Sequence, residues 1–303
     1  MDNITQLPNQ AGRIMIVTGA NTGLGYETTL SLAKTGAKVI MACRNMPKAN
    51  QAKEKIQQQL PDADIEVMEI DLSSLKSVRK FAHDFQARYN TLDVLINNAG
   101  VMAPPYSKTE DGFELQLGAN YLGHFLLTGL LLETIVKTPD SRVVTLSSLV
   151  HKDGTINFDD LQSEKNYDRM KAYAQSKLAC LIFSFELQRR LEKAGYHKTI
   201  STAAHPGISD TELSRNMSKI IYYLVKYTLA PFFTHAPREG AKPTILAAIG
   251  EAKGGDYFGP TGLREMKGKP GKATFTDLSK DENVATRLWQ VSEKLVGFKY
   301  PGL

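Results

Sequence analysis

Short apolar, β-branched runs alternate with longer amphipathic stretches through the first two thirds of the chain. The runs cover residues 13–18, 38–42, 65–70, 94–96, 142–147 and 199–203, and helix-length stretches such as 25–34, 49–59 and 75–89 lie between them. Strands separated by helix-length crossovers predict βαβ units and a parallel sheet. The runs are apolar at consecutive rather than alternate positions, as required when helices cover both faces of a sheet. The pattern therefore predicts an α/β fold: a doubly wound parallel sheet between two layers of helices. No repeat or linker interrupts it, so residues 1–303 are expected to form a single domain.

Beyond residue 206 the rhythm weakens. Residues 208–237 read as an irregular connection with an apolar helical piece at 220–229, followed by a helix over 237–250, and about 208–240 is the expected substrate-lid region. The stretch 220–233 has three readings: a lid over an apolar substrate, a face packed on the core or a second subunit, or a segment resting on a membrane surface through Lys219 and Lys226. The C-terminal extension, 251–303, opens with a Gly-rich, basic stretch at 253–272, expected to be a solvated loop. An amphipathic helix over 281–296, holding the only tryptophan, Trp289, closes it.

Composition narrows the class. At 42% hydrophobic and 23% charged residues, the chain is neither disordered nor fibrous. No window reaches the roughly 18 uninterrupted apolar residues of a spanning helix. The net charge of +5 is modest and has no accompanying ladder of basic and aromatic residues, so no nucleic-acid partner is expected. Two cysteines, Cys43 and Cys180, cannot build a disulfide framework. Together with an N-terminus lacking signal-peptide features, they predict a cytoplasmic protein in a reducing compartment. The six histidines show no metal-ligand spacing, and no metal is expected.

The first run ends in Thr18-Gly19-Ala20-Asn21-Thr22-Gly23-Leu24-Gly25, and a helix follows at once. A glycine turn at a strand–helix junction lets backbone N–H groups and the helix N-terminus meet a pyrophosphate, where any Cβ would stand in the way. A tight turn without ligand is the bland alternative. The second run ends in Cys43-Arg44, about 20 residues past the last glycine. An acidic side chain there would bind the ribose 2′-hydroxyl of NAD; a guanidinium suits the 2′-phosphate of NADP instead. NADP is therefore expected over NAD, with a solvated Arg44 as the alternative.

Four further features are Asn97-Asn98-Ala99-Gly100, Asn120, Ser147-Ser148 and Tyr173-Ala174-Gln175-Ser176-Lys177. With the glycine turn, they resemble the short-chain dehydrogenase/reductase superfamily over about residues 12–210. Asn120 through Thr128, Leu146 through Leu149, Ala172 through Leu178 and an insertion holding Phe158-Asp159-Asp160-Leu161 resemble its retinol dehydrogenase-like and protochlorophyllide reductase-like branch. Two departures accompany that resemblance: no N-terminal anchor, and Asn97 where the protochlorophyllide enzymes start the motif with cysteine. Retinoid or light-driven chemistry is therefore not carried over.

The resemblance implies a Rossmann-type fold and an NADP-dependent oxidoreductase acting on a small-molecule carbonyl/alcohol pair. It implies Tyr173 as general acid/base, with Lys177 one helical turn away favouring phenolate and bonding the nicotinamide ribose. It implies Ser148, before Ser147, as donor to the substrate oxygen, and Asn120 as holder of a water in the proton relay; a helix-kink residue is the alternative for Asn120. Asp71 and Leu72 would border the adenine, and Asn97 and Gly100, with Ala99 between them, the adenosine ribose. Pro206, Gly207, Ile208 and Thr211 would clamp the nicotinamide, with the Ile208 backbone and Thr211 hydroxyl near its carboxamide. Relatives commonly form homodimers or homotetramers through the helices around Asn120 and Tyr173, which the insertion and lid here would oppose. A regulator that binds NADP without chemistry is the rival class, although all four reactive positions are kept. His124, one turn past Asn120, is expected to pack rather than react.

Overall fold

The computed structural model describes residues 7–208 and 236–303. The order is β1 (Ile14–Thr18), α1 (Gly23–Ala33), β2 (Lys38–Cys43), α2 (Met46–Gln59), β3 (Ile65–Glu69), α3 (Leu75–Gln86) and β4 (Val94–Asn97). A π-helical turn (Leu117–Leu122) then leads into α4 (Gly123–Lys137), β5 (Arg142–Leu146), a short 3₁₀ turn (Leu149–Asp153), α5 (Arg169–Lys193) and β6 (Ile200–Ala204). After them come α6 (Pro237–Ile249), β7 (Tyr257–Pro260), β8 (Pro270–Lys272) and α7 (Glu282–Val296). Side chains mark several helix starts: Asn45, Asp168 and Asp281 accept from the first-turn N–H groups of α2, α5 and α7. Gly297, in the left-handed conformation, ends α7.

The strands form one sheet in the order β3-β2-β1-β4-β5-β6-β7-β8. All pairs are parallel except the last, β7 with β8. Both faces are covered, as the unbroken apolar runs require. Alternate residues divide between two cores: Ile16, Ile40, Leu95 and Val143 pack under α3, α4, α5 and α7. Their neighbours Met15, Val17, Val39, Met41 and Ile96 pack under α1, α2 and α6. This is a Rossmann-like three-layer α/β/α fold.

The 21-residue helical run that joins the π-turn to α4, Leu117–Lys137, is long and apolar enough to cross a membrane by length and composition, yet most of it is buried inside the fold. Its apolarity is that of a core helix.

One feature differs from the sequence expectation. Residues 253–272 are not a solvated loop, because β7 lies within them, with Tyr257 and Phe258 buried beside β6. The hairpin tip is exposed, with Leu263 71% accessible. The expected lid at 208–240, including 220–233, lies almost wholly outside the described residues.

α7 and the segment after it cover α4 and α5. Trp289 and Tyr300 join Phe125 and Phe183 in one aromatic cluster, and Tyr300 Oη donates to Phe125 O at 2.6 Å. Arg190 lies 4.3 Å from the Trp289 ring centroid. A Cβ on Gly129 would fall 2.6 Å from Phe298, so α4 needs glycine where this segment crosses it.

Candidate active site

The sheet changes winding direction between β1 and β4, where ligands of doubly wound folds bind at the carboxyl ends of the strands. A cleft of about 1090 Å³ opens there, running from the glycine turn to Tyr173.

Gly19 and Gly23 take φ of +65° and +56°, a region costly for other residues. A Cβ at Gly25 would lie 2.3 Å from Gly19 O and 2.6 Å from Asn98 Nδ2, so the turn closes only on glycine. Thr22 precedes α1 without a side-chain cap, and the first turn of the helix holds no acidic residue. Its N–H groups and dipole therefore face the cleft uncompensated, as an anion site requires. Asn21, Thr22, Gly23 and Leu24 all line it.

Past β2, Arg44 also lines the cleft; its side chain is 71% exposed and its guanidinium is 3.8 Å from Asp71 Oδ2. Asp71 in turn accepts from Ser73 N and Oγ, which fixes it beside Leu72 at the same wall. Cys43 stands buried at the end of β2, and burial pushes its thiol up to about 11 against weaker pulls from the Ala20 and Asn21 backbone. The thiol is thus neutral, and no anion opposes a phosphate there. Lys48 and Lys55, on α2, line this wall as well. The sequence reasoning missed both; the signal was their i, i+4 and later spacing after Arg44 on a helix begun at Asn45.

At the end of β4 the two asparagines part company. Asn97, expected beside the ribose, is buried and donates to Thr128 Oγ1 on α4 at 3.0 Å; it does not line the cleft. Strand alternation turns Asn98 toward the cleft instead, with Nδ2 donating to Thr18 O at 2.6 Å. Ala99 and Gly100 line the cleft as expected.

Thr18, His124 and Asn120 form a chain of hydrogen bonds beneath this floor. His124 Nδ1 is 2.9 Å from Asn120 O, which can only accept, so Nδ1 carries the proton. Nε2 then accepts from Thr18 Oγ1 at 2.9 Å, and Thr18 Oγ1 accepts from the N–H groups of Asn98 and Ala99. Burial, helped by the charge of Lys177, holds the imidazole down to about 4 although its bond to Asn120 works the other way. His124 is a neutral packing residue.

Asn120 sits in the π-helical turn, where the widened backbone releases its carbonyl to His124 and Cys180. Its side-chain Nδ2 donates to Val101 O and Ser176 Oγ, and Oδ1 accepts from Val101 N. Both amide protons are committed. The residue ties the loop after β4 to α5.

α5 carries Tyr173 and Lys177, both buried and both lining the cleft. Lys177 Nζ lies 5.9 Å from the Tyr173 ring centroid and donates to Leu146 O at 3.1 Å. A Cβ on Gly100 would come 3.3 Å from the same Nζ, so the ammonium sits against the cofactor side of the cleft. The adjacent serines differ. Ser147 Oγ donates to Lys177 O at 2.8 Å and is spent on structure. Ser148, at the head of the 3₁₀ turn, makes no side-chain cap bond there. Pro206 lines the cleft opposite; Gly207 follows at φ +74°, and Ile208 N donates to Met266 O. Thr211 lies outside the described residues.

A cleft with a glycine-cradled anion site at one end and a tyrosine–lysine pair at the other defines a nucleotide-dependent oxidoreductase. The chain belongs to the short chain dehydrogenase family, whose pattern matches residues 13–220. It is 43% identical to Retinol dehydrogenase 13 of Mus musculus, covering 94% of this chain and 84% of that protein. It is 43% identical to Retinol dehydrogenase 12 of Homo sapiens, covering 97% and 89%. Among solved structures, an uncharacterized protein from Mycobacterium paratuberculosis superposes with a TM-score of 0.81 at 39% identity, over 99% of this chain and 98% of that one. A short chain dehydrogenase from Shigella flexneri, complexed with NADP, shares the fold at a TM-score of 0.62 and 22% identity, over 85% and 98%. The retinol dehydrogenase-like branch inferred from the motifs is thus the one the relatives occupy.

Proposed function

We propose that the protein is an NADP(H)-dependent oxidoreductase that interconverts a carbonyl and an alcohol on an apolar substrate. The observation that carries this is the placement of Tyr173 and Lys177 in the same cleft as the glycine turn and Arg44. The nicotinamide, when bound, supplies or accepts the hydride. The N-terminus of α1 and the glycine turn hold the pyrophosphate, and Arg44, with Lys48 beside it, meets the 2′-phosphate.

Tyr173 gives a proton to the substrate oxygen during reduction and takes it back during oxidation. Lys177 sits close enough to the ring to stabilise the phenolate this leaves. Ser148 adjoins the cleft-lining Ser147 but does not itself line the cleft. It donates to the same substrate oxygen on the strength of the motif, since Ser147 Oγ is spent on Lys177 O. Asn120 acts through position, holding Val101 and α5 at a fixed separation. Val101, Met102, Leu115 and Ala119 line the cleft near the glycine-rich floor and favour an apolar substrate. The names of the relatives point the same way, to an apolar alcohol. A cytoplasmic, reducing setting belongs to this proposal and is supported by two free, buried thiols.

The test is a panel of aldehydes, ketones and alcohols assayed with both cofactors, on the native protein and Tyr173→Phe. The variant is expected to bind NADPH normally and to lose about 10²–10⁴-fold in turnover. Undiminished turnover would overturn the role of Tyr173, and a preference for NADH that of Arg44. NADPH binding with no turnover of any carbonyl by the native protein would favour the regulator.

A further inference from the structure

Behind the cleft, away from the tyrosine, a cluster of charged and imidazole groups joins three segments that the proposed chemistry does not use. At its centre is Glu265, whose side chain is 13% exposed. One carboxylate oxygen, Oε2, accepts from Lys152 Nζ at 3.0 Å and faces His205 Nε2 at 3.5 Å. The other, Oε1, accepts from Thr274 N at 2.7 Å, and Lys152 also donates to Thr274 Oγ1.

Each partner leads back to the active site. Lys152 lies in the 3₁₀ turn that begins at Ser148, and in that turn His151 folds back onto Ser148 O at 2.7 Å. His205 heads the Pro206–Gly207–Ile208 loop. Its Nδ1 accepts from Gly207 N at 3.2 Å, which requires an unprotonated Nδ1 and puts the ring proton on Nε2, the nitrogen that faces Glu265. The next residue, Met266, accepts from Ile208 N at 2.9 Å. The hairpin between β7 and β8 therefore grips both the Ser148 turn and the loop on the opposite wall.

The backbone is strained to do so. Arg264 and Glu265 take φ of +50° and +58°, a region that non-glycine residues enter only when the surroundings hold them there. From the other side, β7 presses on the His205 ring so closely that a Cβ at Gly259 would lie 2.0 Å from Nε2. Burial pushes the Glu265 carboxyl up, but bonds from His205, Lys152 and Thr274 outweigh it and hold it well below the usual carboxylate range. The charge is thus present throughout the working pH range.

We propose that Glu265 is a positioning residue that sets the separation between the turn beginning at Ser148 and the loop that carries Pro206 to the cleft wall. Its carboxylate touches both, bonded to Lys152 and facing His205 Nε2 at 3.5 Å. This role presupposes the NADP(H) chemistry proposed above.

The test compares Glu265→Ala, Glu265→Gln and His205→Asn with the native protein. Four quantities are measured: NADPH affinity by fluorescence titration, kcat at saturating NADPH, the primary isotope effect with deuterated NADPH, and thermal stability. Small displacements of reacting groups cost up to about 10²-fold in rate. Glu265→Ala is expected to lower kcat about 10- to 100-fold and to enlarge the isotope effect as hydride transfer becomes limiting. Glu265→Gln, which keeps an acceptor for Thr274 N, is expected to recover part of the rate. His205→Asn keeps an acceptor for Gly207 N but loses the contact with Glu265, and is expected to share the rate defect without adding to that of Glu265→Ala. Should Glu265→Ala fail to fold, His205→Asn alone carries the test.

Rates within twofold of native, an unchanged isotope effect, or a loss matching only the unfolded fraction would overturn the proposal. Failure of the underlying chemistry looks different: the native protein itself would then reduce no carbonyl with NADPH, whether or not it bound the cofactor.

Discussion

Lowering the pH from 7.5 to 5.0 should destabilise the protein through two imidazoles. His124 and His151 are 2% and 0% exposed, and burial holds each down to about 4. Unfolded, each titrates near 6.5. Below that pH the unfolded chain binds more protons than the folded one, so stability is complete above pH 6.5 and is lost as the pH falls toward 4. At pH 5.0 the difference is about 2 kcal/mol per histidine, or roughly 4 kcal/mol together. Glu114, whose carboxyl burial raises, changes in the opposite sense and offsets part of this at the acid end. With a urea m-value of about 2–3 kcal/mol/M for a chain of this size, the unfolding midpoint should drop by about 1–2 M. The assay is urea unfolding followed by circular dichroism at half-unit pH steps. His124→Asn keeps a donor for Asn120 O and does not titrate, so its midpoint should begin lower but fall about half as steeply. A midpoint that is flat between pH 7.5 and 5.0, or an NMR titration of His124 centred near 6.5, would refute the reasoning.

Three substitutions probe the rest. Gly25→Ala puts a methyl group 2.3 Å from Gly19 O, and NADPH titration should show at least about a tenfold loss of affinity as the turn is forced open. Arg44→Ala removes one charge-assisted contact to a phosphate, worth about 1.5–3 kcal/mol; affinity for NADPH should fall about 10- to 150-fold, with that for NADH little changed. Trp289→Ala empties the centre of the aromatic cluster and should cost about 3–5 kcal/mol by equilibrium unfolding, read by circular dichroism because no other tryptophan remains.

The first six strands were legible because each is a short β-branched or apolar run between helix-length stretches, although the edge strand β3 carries Glu66 and Glu69. β7 was not. Its apolar content is essentially Tyr257-Phe258, set between Gly-Gly-Asp and Gly-Pro, and the surrounding lysines lie on the exposed hairpin and on β8. Position between β6 and β8 buries that pair, and position is not written in local composition. The glycine turn, Tyr173 and Lys177 could be located because backbone geometry demands glycine in one and helical spacing pairs the others. The partition of Asn97 and Asn98 depends on which way one strand residue points, and a motif of two identical residues is silent on that. The grip of Glu265 on Lys152 and His205 joins residues more than 50 positions apart, so no local signal marked it.

The aromatic cluster under α7 also bears on how the protein is made. Trp289 and Tyr300 are translated well after Phe125 and Phe183, against which they pack. Until α7 and the segment after it emerge from the ribosome, α4 and α5 have no cover over these rings and Gly129. Between the synthesis of α5 and that of α7 the nascent chain thus carries a sticky apolar face, the kind of surface that chaperones shield. A stop codon ahead of Trp289 should therefore yield an aggregating product rather than a shortened enzyme.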